Sequence, residues 1–193
     1  MDYKFTAVLV GLFILLSPGF FLTLPSLSVS DLTHQGVSFG SNPTATTFCS
    51  ANTKTEPNCK KAMSVWRSGY TTLLAGVVHT VVFGALLYAA SRTILPAMSY
   101  QSIGIYSGIF FALTPGMIIN VPTLGLNSCG SDEKISDDNG ANNGYCSDTR
   151  ASLTNCDRCN RFFMSHFTSD VDVLVHAVVF GAVVYYLSQN LYI

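Results

Sequence analysis

The chain has 193 residues, of which 49% are hydrophobic and only 11% are charged, and its mean hydropathy is +0.38. The charged share is about half that of a typical soluble domain, so the composition predicts an integral membrane protein. The formal net charge of −1 lacks the basic surplus with which proteins bind nucleic-acid phosphates. We therefore expect the lipid bilayer, and no nucleic acid, as a partner.

Apolar segments recur along the chain, at about residues 5–24, 71–90, 103–121 and 171–187. Crossing the hydrocarbon core of a bilayer as a helix takes about 20 residues, which these segments approach or reach. Two polar loops separate them, the first polar loop at residues 26–70 and the second at residues 123–170. The sequence therefore predicts an all-α integral membrane protein, with four transmembrane helices arranged as two tandem helical hairpins.

A proline-glycine pair lies inside the first and the third apolar segments, as Pro18 with Gly19 and Pro115 with Gly116. Proline inside a helix removes one backbone hydrogen bond and kinks the helix. We expect a kink at each pair. The hydroxyl groups of Ser17 and Thr114 directly precede the prolines and can bond the carbonyls that are left free.

The chain contains one unit twice, at an offset of 97 residues. The stretch GLFILLSPGFFLTLP from residue 11 returns as GIFFALTPGMIINVP from residue 108. The same offset superimposes His79 on His176, Cys49 on Cys146 and Cys59 on Cys156. A single unspaced shift that aligns apolar segments and cysteines indicates an internal repeat. We define residues 1–97 as the first repeat and residues 98–193 as the second.

Two parallel repeats that each cross the membrane twice are expected to lie around a pseudo-two-fold axis along the membrane normal. Counting the crossings places both polar loops on one face of the membrane. The two chain ends and the short connection between the repeats lie on the other face.

All six cysteines lie in the polar loops. The repeat indicates three disulfide pairs: Cys49 with Cys59, Cys146 with Cys156, and Cys129 with Cys159. Each such bond would stabilise a loop that has little core of its own, by about 2 to 4 kcal/mol on typical values. Two alternatives are a four-thiolate zinc site in the second loop and free thiols. We predict no metal, because the first loop has only two cysteines.

Two rules disagree about the face of the membrane on which these loops lie. Disulfides form outside the cytosol or in a lumen. However, eight of the ten Lys and Arg residues lie in the same loops, which the positive-inside rule places in the cytoplasm. A large DNA virus that assembles in the cytoplasm and brings its own thiol-oxidising system would satisfy both rules.

His79 and His176 lie within the second and the fourth apolar segments. An ionisable side chain inside a membrane segment is a candidate for proton or ion transport. The alternative is structural: each neutral imidazole bonds a carbonyl freed by the proline of its own repeat and so holds the helix pair. One histidine per repeat with no intramembrane carboxylate favours the structural interpretation.

No pattern typical of an enzyme occurs, whether a nucleophile elbow, a phosphate loop, paired carboxylates on a helix or a metal box. We therefore predict a non-enzymatic protein with no catalytic residue, cofactor or metal. Aromatic side chains flank the entries to the second and the fourth apolar segments and are typical of a belt at the membrane interface: Trp66, Tyr70, Phe162, Phe163 and Phe167.

The segment LSPGFFLTLP, followed by a polar loop and then by VHTVVFGALLY or VHAVVFGAVVY, resembles a family of small two-span membrane proteins of plants whose function is unknown. It is also similar to short membrane proteins of nucleocytoplasmic large DNA viruses, which occupy the lipid membrane beneath the capsid. The present chain differs from the plant proteins in its duplication and in its long cysteine-bearing loops. The resemblance supplies no catalytic residues.

Three functions are open at this stage. The leading one is a minor structural protein of a large DNA virus, in a multi-pass arrangement in the inner membrane of the virion, whose polar loops bind capsid or other structural proteins. The second is a channel or proton-coupled transporter that uses His79 and His176. The third is an accessory subunit of a host-cell membrane complex, such as a photosystem or a respiratory complex.

Overall fold

A computed structural model describes residues 3–26, 63–121, 134–136, 142–144, 163 and 168–190. These parts of the chain contain four α-helices and one small hairpin. The elements in chain order are α1 (Tyr3–Leu16), α2 (Leu73–Ser91), α3 (Tyr100–Leu113), β1 (Lys134–Ser136), β2 (Asn142–Gly144) and α4 (Asp170–Asn190). The helical fold class is thus confirmed, with one addition: β1 and β2 form an antiparallel pair inside the second polar loop.

Helices α2 and α4 have the length and the apolar composition that crossing a membrane requires. Helices α1 and α3 have 14 residues each, which corresponds to about 21 Å. This is less than the hydrocarbon thickness of about 30 Å. The prediction of continuous helices over residues 5–24 and 103–121 is therefore wrong, since only about the first three fifths of each segment is helical.

The proline-glycine pairs end α1 and α3 instead of kinking them. Proline disfavours the helical conformation of the residue before it, and Thr114, the C-cap of α3, is extended with ψ 123°. Gly19 and Gly116 follow with φ of 88° and 77°, a left-handed conformation that favours glycine. A helix cannot continue through such residues. We call residues 17–23 and 114–120 the first and the second proline loop.

The starts of α2, α3 and α4 are capped by hydroxyl side chains. The Oγ1 of Thr72 accepts a hydrogen bond from the N–H of Ala75 at 3.0 Å, and the Oγ of Ser99 accepts one from Ser102 at 3.1 Å. At α4, Ser169 and Asp172 form a reciprocal capping box, with N to O distances of 3.0 and 3.1 Å. The caps place these helix starts at defined residues.

Helices of different repeats make the larger contacts: α1 packs mainly against α4, and α2 mainly against α3. Fully buried phenylalanines form the centre of the bundle. The ring of Phe13 stacks on Phe180 at 4.7 Å, and Phe83 stacks on Phe110 at 4.5 Å. Each residue of the first pair lies 97 positions from a residue of the second pair. The core therefore repeats the sequence offset, and the two repeats enclose one core between them.

The same offset appears at the end of the bundle that the polar loops enter. The hydroxyl groups of Thr71 and Thr168, which are 97 residues apart, lie 2.7 Å from each other. Two equivalent residues can touch in this way only close to a pseudo-two-fold axis. Thr71 and Thr168 lie just before α2 and α4, so both polar loops return to the bundle at the same end.

Candidate functional site

His79 lies in the second turn of α2 and is 2% exposed. Its Nδ1 lies 2.6 Å from the carbonyl oxygen of Leu16, at the end of α1. Its Nε2 accepts a hydrogen bond from the backbone N–H of Leu24 at 2.9 Å. The imidazole therefore binds the residues on both sides of the first proline loop and closes that loop against α2.

The two bonds define the protonation of the ring. A backbone N–H can only donate, so Nε2 must present its lone pair to Leu24. The ring proton is then on Nδ1, which donates to the carbonyl of Leu16. Protonation of Nε2 would set two N–H groups against each other and break the bond to Leu24. The geometry thus requires a neutral imidazole in one tautomer, assigned from its hydrogen-bond partners.

His176 repeats this arrangement in α4, where it is 3% exposed. Its Nδ1 lies 2.6 Å from the carbonyl oxygen of Leu113, and its Nε2 accepts from the N–H of Val121 at 2.9 Å. The separations along the chain, 63 and 55 residues, are those of the first repeat. The two histidines therefore perform the same task on two equivalent loops.

Hydroxyl side chains bond further carbonyls at the ends of α1 and α3. The Oγ of Ser17 donates to the carbonyl of Phe13 at 2.8 Å, and the Oγ1 of Thr114 donates to that of Phe110 at 2.8 Å. The last four carbonyls of a helix have no partner within the helix. These hydroxyl groups, together with the histidines, supply partners for carbonyls at the ends of α1 and α3.

The first proline loop also contacts the second repeat. The Oγ1 of Thr71 donates to the carbonyl of Pro18 at 3.0 Å, while bonding Thr168. Gly19 accepts from the N–H of Gly69 at 3.0 Å. A Cβ placed at Gly19 would lie 3.0 Å from the Cβ of Thr168 and 3.0 Å from the carbonyl oxygen of Tyr70. Glycine is thus required here both by its φ and by the close approach of a neighbour.

The interiors of the two proline loops differ. In the first, the hydroxyl of Thr23 accepts from the N–H of Gly19 at 3.1 Å and bonds Ser68 at 2.7 Å. The equivalent residue in the second loop is Asn120, which is fully buried. Within the described parts of the chain, neither polar atom of its side chain has a hydrogen-bond partner.

A second difference lies one turn before each histidine. The first repeat has Ala75 at this position, and the second has Asp172, both fully buried. The Oδ2 of Asp172 accepts from the N–H of Ser169. Among the described residues, its Oδ1 has no partner. The sequence signal that could have singled out Asp172 is an acidic residue at the position where the first repeat has an alanine.

The chemistry of this site is structural. No group of three or more His, Cys, Asp or Glu side chains that could hold a metal ion occurs in the described residues. Both nitrogens of each histidine are occupied by backbone groups, which leaves neither nitrogen available to pass a proton onward. What the arrangement does is hold a non-helical loop closed beside an apolar helix.

Several sequence-predicted residues lie outside the described residues: Cys49, Cys59, Cys129, Cys146, Cys156, Cys159, Phe162 and Phe167. Of the predicted aromatic belt, Trp66 is 69% exposed and Phe163 is 61% exposed. They form equivalent single bridges to Leu22 and Ile119 on the proline loops. These two rings therefore mark the same level in the two repeats, while Tyr70 is half-buried.

Comparison with protein-family models, with curated proteins and with solved structures found no match to this chain.

Proposed function

We propose that the protein is a multi-pass integral membrane protein with a structural, non-enzymatic role. The observation that carries this proposal is the outward face of α2 and α4. Only 28% of the most apolar stretch of α2, and 39% of that of α4, is buried against the rest of the protein. The core helix of a soluble protein would be mostly buried, so these apolar faces need lipid.

The outward faces consist of large apolar side chains at equivalent positions. Val81 is 66% exposed and its equivalent, Val178, is 73% exposed. No Asp, Glu, Lys or Arg occurs in α2, and the two acidic residues of α4 lie in its first turn. The exposed members are Leu73, Leu74, Val77, Val81, Val82, Leu86 and Tyr88 on α2, and Val171, Leu174, Val178, Val179, Tyr185 and Tyr186 on α4.

In this proposal, each of the four apolar segments crosses the bilayer. Helices α1 and α3 cross most of it, and the proline loops complete the crossing as folded, non-helical chain. Such chain is tolerated at membrane depth only where its backbone groups have protein partners. His79, Thr71 and Ser17 provide these partners in the first repeat.

The polar loops are the surfaces that meet other proteins. Both return to the same end of the bundle, next to the contact of Thr71 with Thr168. We propose that disulfides between Cys49 and Cys59, Cys146 and Cys156, and Cys129 and Cys159 stabilise them. Following the resemblance to membrane proteins of large DNA viruses, the partners are capsid or minor capsid proteins, and the membrane is the inner membrane of the virion.

The remaining two functions are less well supported by the geometry. A channel or proton-coupled transporter needs ionisable groups that change partners, whereas both nitrogens of His79 and His176 hold backbone groups. In liposomes, a pH-dependent flux that is abolished by the double variant His79→Ala, His176→Ala would reverse this judgement. An accessory subunit of a cellular membrane complex would be revealed by the proteins with which the chain co-purifies.

The membrane arrangement can be tested with the natural cysteines. Sealed vesicles of known orientation are treated with a membrane-impermeant maleimide, with and without prior reduction. We expect resistance to alkaline carbonate extraction, labelling from one face only, and labelling that requires reduction. Release of the protein by carbonate would contradict the integral arrangement, and labelling from both faces would contradict the four crossings.

The structural role needs a separate experiment. Protein from its native source is cross-linked through lysines of the polar loops, such as Lys54 and Lys134, and the partners are identified by mass spectrometry. Cross-links to capsid proteins are expected. Cross-links to the subunits of a respiratory or photosynthetic complex would replace the virion proposal with the accessory-subunit one.

A further inference from the structure

At two positions the second repeat has buried polar atoms without hydrogen-bond partners, whereas the first repeat has an alanine and a bonded hydroxyl there. Asp172 and Asn120 are both fully buried. In the described parts of the chain, the Oδ1 of Asp172 and both polar atoms of the Asn120 side chain lack a hydrogen-bond partner. Buried groups of this kind are costly, and ordered water is the usual explanation for those found in native proteins.

Each residue lies close along the chain to a group of the His176 site. Asp172 lies one turn before it on the same side of α4. Asn120 directly precedes Val121, whose N–H donates to the Nε2 of His176 at 2.9 Å. The unpartnered atoms therefore belong to one region, between the start of α4 and the second proline loop.

The first repeat shows what a dry version of this region looks like. Ala75 replaces the carboxylate, and the hydroxyl of Thr23 is bonded by Gly19 and Ser68. Within the described residues, the polar side-chain atom at these two positions of the first repeat, the hydroxyl of Thr23, therefore has partners. The two repeats thus differ in how much hydrogen-bonding capacity they leave unused.

The unused atoms also indicate which ligand fits. Asn120 offers one donor group and one acceptor, and Asp172 offers an acceptor. A metal cation could bind the two oxygens but not the NH₂ group. Water both donates and accepts, so it alone satisfies the complete set.

We propose that the second repeat contains a buried hydration site, absent from the first, in which ordered water bridges the Oδ1 of Asp172 and the side chain of Asn120. The site is independent of the proposed virion role. It makes the second repeat the more polar of the two at the end of the bundle that the polar loops enter.

The direct test is a high-resolution structure of the full chain in lipid nanodiscs. We expect ordered water within about 3.2 Å of both Asp172 and Asn120, and none at Ala75. The exchange variant Asp172→Ala, Asn120→Thr, which copies the first repeat, should lose this density. A protein side chain in place of the water, or an empty region, would overturn the proposal.

Two thermal measurements give an independent check. The converse variant Ala75→Asp introduces a carboxylate where no unused partner exists, so we expect a lower Tm, by about 4 °C or more. An unchanged Tm would contradict the role assigned to Asn120. The unmodified protein is also compared in sodium chloride and in N-methyl-D-glucamine chloride at equal ionic strength. Equal Tm values are expected, whereas stabilisation by sodium that Asp172→Asn removes would indicate a cation site and overturn the hydration site.

Discussion

The first and the second proline loop are closed by the same two hydrogen bonds to histidine, but different side chains fill their interiors. The bonds from His79 and His176 have matching distances of 2.6 and 2.9 Å. Inside the loops, Thr23 stands opposite Asn120, and one turn before each histidine Ala75 stands opposite Asp172. The comparison shows that the two repeats share the histidine bonds to the backbone and differ in the side chains around them.

The physical reason lies in the solvent that we propose for this protein, a lipid bilayer. In the hydrocarbon core of a bilayer, no water is present to form a hydrogen bond with an unpaired backbone N–H or carbonyl. Any helix that ends inside the membrane therefore needs protein partners for its last carbonyls. A neutral imidazole can accept one bond and donate another at the same time. A single histidine can thus close a loop whose two ends are eight residues apart, as Leu16 and Leu24 are.

The largest effect is expected when this shared element is broken. His79→Ala leaves the carbonyl of Leu16 and the N–H of Leu24 buried without partners, which should lower the free energy of unfolding by about 2 to 6 kcal/mol. His176→Ala should cost a similar amount, because its bonds are the same. Denaturation in detergent micelles measures both, with Val81→Ala, on the exposed face of α2, as the matched control. A loss below about 1 kcal/mol at either histidine would show that the bond pair does not hold its loop.

The next largest effect is expected at the glycines of the proline loops. Alanine at Gly19 meets both an unfavourable φ and neighbours at 3.0 Å, so Gly19→Ala should cost about 2 to 4 kcal/mol. Gly116→Ala meets a similarly unfavourable φ, so it should cost at least the backbone strain of about 1 to 2 kcal/mol. Thermal unfolding measures the loss of stability in each of these variants. As the control, Gly108→Ala places its Cβ in open space and should be neutral or slightly stabilising.

A smaller effect is expected at the glycines between the repeats. A Cβ at Gly84 would lie 2.9 Å from the Oγ of Ser107, and one at Gly181 would lie 2.9 Å from a methyl group of Val10. Gly84→Leu and Gly181→Leu should each destabilise the packing by about 1 to 3 kcal/mol. The same change at Gly104, which has nothing within 4 Å, serves as the control. Equal losses at all three positions would mean that the cost is not that of helix separation.

The smallest effect is expected at a contact that joins the repeats but breaks their symmetry. Arg67 and Asp170 form an ion pair at 3.2 Å, with side chains that are 67% and 66% exposed. The equivalent positions hold Met164 and Leu73. Asp170→Asn should cost less than about 1 kcal/mol, and less still at high salt, because exposed pairs are weak and screened. A larger loss that persists in salt would assign Asp170 a role in capping α4 instead.

Much of the helical framework could be read from the sequence. The hydrophobic run from Thr71 to Ala90 and the run from Val171 to Leu187 coincide closely with α2 and α4. Their composition is sufficient, because long uncharged stretches have only one stable form in a membrane. For the two segments that contain proline, the sequence predicts helices that extend further than α1 and α3 do. Hydropathy treats Phe21 and Ile118 as membrane residues but carries no information on whether their backbone is helical.

The sequence predicts only one of the two hydrogen-bond partners of each histidine. The offset of 97 residues identifies His79 and His176 as equivalent, and the prolines of the repeats suggest a freed carbonyl as one partner of each imidazole. The second partner, the N–H of Leu24 or Val121, depends on a loop that returns to the same imidazole. No local pattern reports such a return, since the contact joins residues 55 positions apart.

The sequence by itself determined the membrane-type composition, the duplication and the two long apolar helices, because these follow from local composition and from repeated spacing. Only the tertiary structure decided that α1 and α3 end at Leu16 and Leu113. It also decided that the two repeats pack against each other through Phe13, Phe83 and their equivalents. Finally, it decided that each histidine is neutral and forms hydrogen bonds with two backbone groups. These features depend on which buried backbone groups find a partner, and that is settled by the neighbours of the folded chain.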